Sequence, residues 1–396
     1  MSKAGNFDAI SLEDFDNDSA DTLGLSRMCD IDLSNSFVPT GIFEYDFLLG
    51  GGILSNQLMT IHGVAGSGKT ALMMQIAKNF HQKYPKESIA WSDEEGSFCD
   101  DWGAAAGFDV NKLIEKKLFV YKEKTKCAED WLDMLDEMLK IDNLGLAFVD
   151  SIHALQSIEQ SEKSAHDTAT PGGLGKIIRS ACRKVLAWRA RRAREGKPAL
   201  MVWVNKKVNP IAMYTRANFV GGEWVELYSS TIIKMFREST DEANVFGISQ
   251  VASAKHTMQL DKLRQIAGTK ISSYLSYTPS ITGVEYFKSV KEPDFIYDRA
   301  RDFNLFNPHS KVYAVTGEKF DKKEAWLEWL YKDKASLNFL KSLLIYCYGR
   351  KVYAYGGIPK DGYLLTKISP TEFKKMKELY DTVVAPLEMK VKGKKS

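Results

Sequence analysis

The segment Gly63-Val64-Ala65-Gly66-Ser67-Gly68-Lys69-Thr70 constrains this chain more than any other. A glycine-rich turn of this spacing works where a strand hands over to a helix, because its backbone N–H groups converge on one anion while the helix start adds its positive end. The flanks have that form: residues 57–62 (Gln-Leu-Met-Thr-Ile-His) read as a buried strand, and residues 71–84 carry Leu72, Ile76 and Phe80 at the spacing of one helix face. Gly63, Gly66, Ser67 and Gly68 are expected to close around phosphates, with Ala71 in the first turn of the helix. Lys69 is expected to reach the β and γ phosphates, and the Thr70 hydroxyl to ligate Mg²⁺. The loop therefore implies ATP with Mg²⁺ in an α/β fold.

The surrounding pattern agrees. Strand-like runs at 88–92, 118–121, 144–150, 199–205, 231–236 and 245–252 alternate with helical stretches such as 129–139 and 175–194. Strands separated by helices imply crossover units and a mostly parallel, buried sheet. We assign this core to residues 36–275. Residues 1–35 are acidic, with isolated Phe7, Ile10, Leu12 and Phe15, and read as a short arm, either a mobile tail or a segment that packs on a neighbouring subunit. From 276 to 396 aromatic and basic residues dominate (Trp326, Trp329, Tyr346, Tyr348), which marks a smaller C-terminal α+β domain. Its basic tail, 390–396, either captures duplex DNA or keeps the end soluble.

Charge excludes a simple polyanion argument: 54 Lys and Arg nearly balance 51 Asp and Glu, for a net +3. Five scattered cysteines offer neither zinc-ligand spacing nor a disulfide framework, in keeping with a reducing cytoplasm, the host's if the source is viral. The acidic N-terminus lacks a signal-peptide core, and no run approaches the roughly 18 apolar residues of a membrane span. A soluble protein without a membrane partner is expected.

Two further acid sites bear on chemistry. Residues 144–149 form an apolar strand ending in Asp150, where a parallel sheet delivers ligand residues, so Asp150 is expected to orient Mg²⁺ beside Thr70, unless it caps a helix. Asp93, Glu94 and Glu95 follow the apolar pair Ile89-Ala90. Spacing alone leaves them as either water-activating groups or a solvated surface.

Over residues 36–270 these features resemble the RecA, RadA and bacteriophage UvsX recombinases, closest in pattern to the UvsX-like ones. The resemblance implies a RecA-like phosphate-loop ATPase core. In the family an Asp-x-Glu strand end supplies the catalytic base, which assigns that role to Glu95. An aromatic ring seven residues later lies on adenine, which points to Trp102. Gly107-Phe108-Asp109 and Val149-Asp150-Ser151-Ile152-His153-Ala154-Leu155 match further family signatures. The resemblance also implies two loops that contact single-stranded DNA, at 156–173 and 208–220. Their candidate contacts are Lys176 and Arg179 at the start of a basic helix, whose distal arginines are read as surface, then Lys207, Tyr214, Arg216, Phe219 and the pair Gly221-Gly222. Where the family senses the γ-phosphate with Gln or His, this chain has Lys206, a cation without the same hydrogen-bonding repertoire. Lys255, with His256 as a second candidate, stands where the family sends cations into the neighbouring subunit's ATP site.

The function implied is that of a DNA-dependent ATPase that forms helical filaments on single-stranded DNA and exchanges strands with duplex DNA in recombination and repair. Mediator and single-strand-binding proteins would be its accessory partners. The alternatives are a hexameric RecA-fold helicase and a non-recombining ATP-binding paralogue or mediator. The two loops and Gly221-Gly222 favour the recombinase.

Overall fold

The structure is a computed structural model that describes residues 37–159, 173–208, 218–263, 269–277, 281, 283–352 and 368–387. In chain order its strands are β1 (Phe37–Val38), β2 (Ile53–Leu54), β3 (Asn56–Gly63), β4 (Ser88–Asp93), β5 (Phe119–Glu123), β6 (Leu144–Asp150), β7 (Ala199–Asn205), β8 (Lys207–Val208), β9 (Asn218–Phe219), β10 (Thr231–Val245), β11 (Ile248–Leu263), β12 (Lys270–Ser276), β13 (Phe306–Asn307) and β14 (Val312–Tyr313). The main sheet has eight strands in the order β12-β11-β10-β3-β7-β6-β4-β5. From β10 to β5 all neighbours are parallel, whereas β11 and β12 add antiparallel.

Both faces of the parallel region are covered, which explains why its strands are apolar at successive positions and not alternately. Along β7, Leu200, Val202 and Val204 enter one cluster with Leu72, Ile76 and Phe80 of the helix Lys69–Lys83. Ala199, Met201 and Trp203 enter another, with Trp131 and Leu135 of the helix Ala128–Met138 and Ile178, Val185 and Trp188 of the helix Gly173–Arg194. A period of two thus sends alternate side chains into two cores.

The short helix Phe43–Leu49 joins the sheet to the C-terminal part, and all seven of its residues are buried. Tyr45, Leu48 and Leu49 face the first core. Phe43 and Phe47 belong to a third cluster with Trp326, Leu343, Leu344 and Met376, contributed by the helices Lys323–Lys332, Lys334–Val352 and Pro370–Leu379. The described residues, from 37 to 387, consequently belong to one compact unit. No helix among the described residues is long and apolar enough to cross a membrane.

Two expectations need correcting. The run 245–252 is not one strand: β10 and β11 form a hairpin whose turn is Phe246-Gly247, with φ of 52° and 82°. The distal arginines of the basic helix are not all surface groups. Arg192 is fully buried, paired with Glu87 and donating to the carbonyls of Asp142 and Pro198. Arg189 donates to Asn56 Oδ1 and O at 3.1 and 2.9 Å, and Arg191 to the Leu139 carbonyl at 2.8 Å. These cations fasten the helix end to the entry edges of the sheet.

Candidate nucleotide-binding site

The 63–70 loop leaves the C-terminal end of β3, and the helix that follows starts at Lys69 with no side-chain cap at Gly68. Its first N–H groups have no intrahelical acceptors, so they remain for an anion. Ser67 Oγ is buried without a hydrogen-bond partner, and Lys69 Nζ rests on the carbonyls of Gly63 and Val64 at 3.2 and 3.0 Å. Burial lowers the Lys69 pKa, with Asp150 and Glu95 opposing. Gly66 (φ +72) lies on the open side with nothing within 4 Å of a notional Cβ, and Ala71 is buried in the first helical turn. Gly68 cannot be replaced without disturbance, because a Cβ there would meet the Phe287 ring at 2.5 Å.

Parallel pairing of β4 and β6 sets Asp93 opposite Asp150. Thr70 Oγ1 donates to Asp150 Oδ2 at 2.9 Å. Burial, with Glu95 and Asp93 nearby, pushes the Asp150 carboxyl up to about 6, against the Thr70 hydrogen bond and Lys69. Carboxylates gathered beside a hydroxyl and an anion cradle are the donor set of a hard divalent cation, so the residues fit Mg²⁺ with a nucleotide phosphate.

The three consecutive acids have separate surroundings. Asp93 accepts from the Ser97 and Phe98 N–H groups and the Tyr121 hydroxyl, and Glu94 accepts from Ser92 and Thr125. Both are buried. Glu95 instead faces the site: Ser151 Oγ donates to its Oε1, and His153 Nε2 lies 3.3 Å from the same oxygen. The Glu94 and Glu95 N–H groups are held on the Asp150 carbonyl at 2.7 and 3.1 Å. Sequence reasoning gave Ser151 and His153 no role, although their positions after Asp150 were a signal. Lys206 is exposed, and its charge, like that of Lys69, lowers the His153 pKa, whose main depressing cause is burial. Trp102 sits in the helix Asp100–Ala105 with its ring half exposed.

Lys255 and His256 point opposite ways, as successive strand residues must. Lys255 pairs with Glu238 on the hairpin at 2.5 Å. His256 is no trans cation. Its Nδ1 lies 3.1 Å from the Ser67 carbonyl of its own phosphate loop and its Nε2 lies 2.7 Å from the Tyr277 hydroxyl. A carbonyl only accepts, so Nδ1 carries the hydrogen and Tyr277 donates to Nε2, in the neutral ring. Burial pushes the His256 pKa down to about 4. Tyr277 and Phe287, from a stretch assigned to the C-terminal domain, thus complete the floor of this loop.

Lys176 and Arg179 are exposed near the start of the helix Gly173–Arg194, with the Arg179 guanidinium 4.4 Å from the Trp224 ring centroid. Lys207 pairs with Phe219 across the β8–β9 ladder and is ion-paired with Asp261 at 2.7 Å. Phe219 is buried edge-on against His62, so its ring supports the base of the loop and is not presented to nucleobases. Gly221 (φ +89) abuts Ile178, whereas Gly222 (φ +82) has open space around it. Tyr214, Arg216, the 1–35 arm, the 390–396 tail and most of the 156–173 loop lie outside the described residues.

Comparison with known proteins gives a consistent picture. Residues 38–167 match the family model described as the ATPase KaiC. The chain is 21% identical over 311 residues to the protein RecA of Mesoplasma florum, covering 78% of this chain and 85% of that protein. It is 32% identical over 161 residues to the DNA repair and recombination protein RadB of Thermococcus sibiricus (39% and 62% covered). Against the RadA of Aeropyrum pernix it is 28% identical over 123 residues (29% and 39% covered).

Proposed function

With the chain a member of the RecA/RadA-type recombinase family, we propose that it is a DNA-dependent ATPase that assembles into helical filaments on single-stranded DNA and pairs the bound strand with homologous duplex. The observation that carries this proposal is the exposure of Glu95, whose charge acts on Lys69 and Asp150, while its two acidic neighbours are consumed by internal hydrogen bonds. Lys69 and the loop backbone would hold the ATP phosphates, and Thr70 and Asp150 would hold Mg²⁺, which neutralises phosphate charge when bound. Glu95, oriented by Ser151 and His153, would position the attacking water and accept its proton at the carboxylate. Trp102 would carry the adenine, and Lys206 would sense the γ-phosphate as a point charge.

Lys255, directed away from its own phosphate loop, would act on the neighbour's ATP. A site shared between successive copies needs a head-to-tail contact, which grows an open helix when rotation does not close. Lys176, Arg179, Lys207, Arg216 and the 221–222 turn would follow the DNA backbone, leaving sequence recognition to base pairing. ATP would favour the DNA-binding state only through unequal affinity for the two states, with hydrolysis as the release step.

Electron microscopy with single-stranded DNA and a non-hydrolysable ATP analogue tests this proposal, alongside ATPase assays with and without DNA. Extended helices and DNA-stimulated hydrolysis are expected, with Lys69→Ala showing neither. Closed rings would favour a hexameric helicase instead. Nucleotide binding without filaments or DNA stimulation would favour a non-recombining paralogue.

A further inference from the structure

Behind the phosphate loop lies a charge cluster that the proposed hydrolysis does not use. The Asp261 carboxylate, on β11, accepts at Oδ2 from His62 Nε2 (2.8 Å) and Lys207 Nζ (2.7 Å), and at Oδ1 from Gln259 Nε2 (3.0 Å). Burial alone would raise its pKa, but the hydrogen bonds from His62 and Lys207 hold it well below the usual carboxylate range. His62 is buried and its pKa lowered, chiefly by burial, so the neutral ring donates to the acid. The group opens into a polar cleft of about 360 Å³ that Lys234 and Glu226 also line.

The position of this cluster is informative. His62 immediately precedes Gly63, whose carbonyl holds Lys69. In the sheet it stands beside Asn205 of β7 and Lys234 of β10. Lys207 and Phe219 are cross-strand partners at the base of the proposed DNA loop, and Phe219 packs edge-on against His62 with the Lys207 ammonium 4.9 Å from its ring. One carboxylate therefore ties a proposed DNA-contacting cation to the residue that feeds the ATP loop.

We propose that Asp261 is a latch: in the DNA-free protein it withholds Lys207 from phosphate and holds His62 in place, and a DNA phosphate that captures Lys207 releases the restraint on the ATP loop. This rests on the DNA-dependent ATPase reading above. The competition is between two anions for one ammonium, and it is partly exposed: the Lys207 side chain is 28% accessible and Asp261 14%. Asp261 is thus a positioning residue, acting through Lys207 and His62. Coupling of this kind is reciprocal, so nucleotide state must bias Lys207 by the same factor that DNA biases nucleotide binding.

The test compares wild type, Asp261→Asn, Lys207→Gln and the double variant by anisotropy of a labelled oligo-dT across a salt series, by ATPase rate with and without DNA, and by thermal melting. Asp261→Asn is expected to bind oligo-dT roughly fivefold more tightly, the scale of one partly exposed ion pair no longer competing. Its log–log salt slope should stay near that of wild type, because Lys207 meets the same phosphate in both once DNA is bound, whereas Lys207→Gln should flatten it by about 0.7. DNA-free hydrolysis should rise several-fold, and the affinity gain should vanish in the Lys207→Gln background. Gln259→Leu, which removes only the bond to Oδ1, should move the same readouts less far and keeps the test decidable if Asp261→Asn does not fold. A natively melting Asp261→Asn protein with unchanged affinity and DNA-free rate overturns the latch, as does a gain that persists without Lys207. If wild type itself neither binds oligo-dT nor responds to it, the DNA-dependent ATPase reading fails first.

Discussion

Glu95 differs from Asp93 and Glu94 by what touches it, and that difference is measurable. Glu95→Gln keeps the shape and an acceptor for Ser151 but removes the proposed base. The expected outcome is a turnover rate lower by about 10²–10⁴-fold with ATP affinity within about threefold of wild type, read by single-turnover hydrolysis and equilibrium binding. Glu94→Gln should instead show itself in the melting temperature, because Glu94 is a buried acceptor for Ser92 and Thr125. Turnover near the wild-type rate in Glu95→Gln would move the base elsewhere. The placement of the 63–70 loop between β3 and a helix, and of Asp150 at the end of β6, was legible in the sequence, because a glycine-rich turn and an apolar run ending in an acid show in residue type and spacing. The in-cis contact of His256 was not, since it depends on the strand's face and on Tyr277, twenty-one residues away.

The parallel strands and the helices between them were legible because their apolar periods and lengths differ plainly. The β10–β11 hairpin was not. Two-residue hairpins with positive φ at both turn positions favour Asn-Gly or Asp-Gly, whereas this turn places Phe246 first, so the apolar run looked continuous. Arg192 was misread for a related reason: a charged residue on a helix looks solvated until tertiary structure supplies Glu87. At the turn before the helix Glu223–Tyr228, the two glycines are needed for different reasons. Gly221→Ala would bring a Cβ to 2.8 Å from Ile178 Cγ1 as well as straining φ, whereas Gly222, at φ 82° and ψ −161°, suffers only the backbone cost. Each should destabilise by about 1–3 kcal/mol. In an Ile178→Ala background, which lacks Cγ1 and Cγ2, Gly221→Ala should cost less than in wild type and Gly222→Ala the same, since only the first pair is in contact. An equal effect of Ile178→Ala on both, measured by denaturation, would refute the packing explanation.

At the scale of the whole molecule, Glu44 joins the core to the C-terminal part: it is buried and accepts from Ser289. Burial pushes its carboxyl up from 4.5 to about 7, with Glu292 adding to the rise and Ser289 opposing it. A folded-state pKa above the unfolded one means that the native form keeps its proton while the unfolded chain loses its own. Stability from this group is therefore complete below about pH 4.5 and falls as pH rises to about 7, by roughly 3 kcal/mol at most. Glu44→Gln should melt higher relative to wild type at pH 8 than at pH 5; an identical difference at both pH values would exclude the buried charge as its cause. Assembly also decides where Lys255 acts. If Glu95 of one copy and Lys255 of the next share each ATP, Glu95→Gln and Lys255→Ala proteins are each inactive alone, yet random co-assembly rebuilds an intact site wherever a Lys255→Ala copy supplies Glu95 and a Glu95→Gln copy supplies Lys255. That juxtaposition occurs at about one boundary in four for an equimolar mixture. The mixture should then hydrolyse ATP on DNA at about a quarter of the wild-type rate. A cation acting within its own subunit predicts no recovery at any ratio, because every copy would lack one of the two groups, so the titration of one protein into the other decides where Lys255 works.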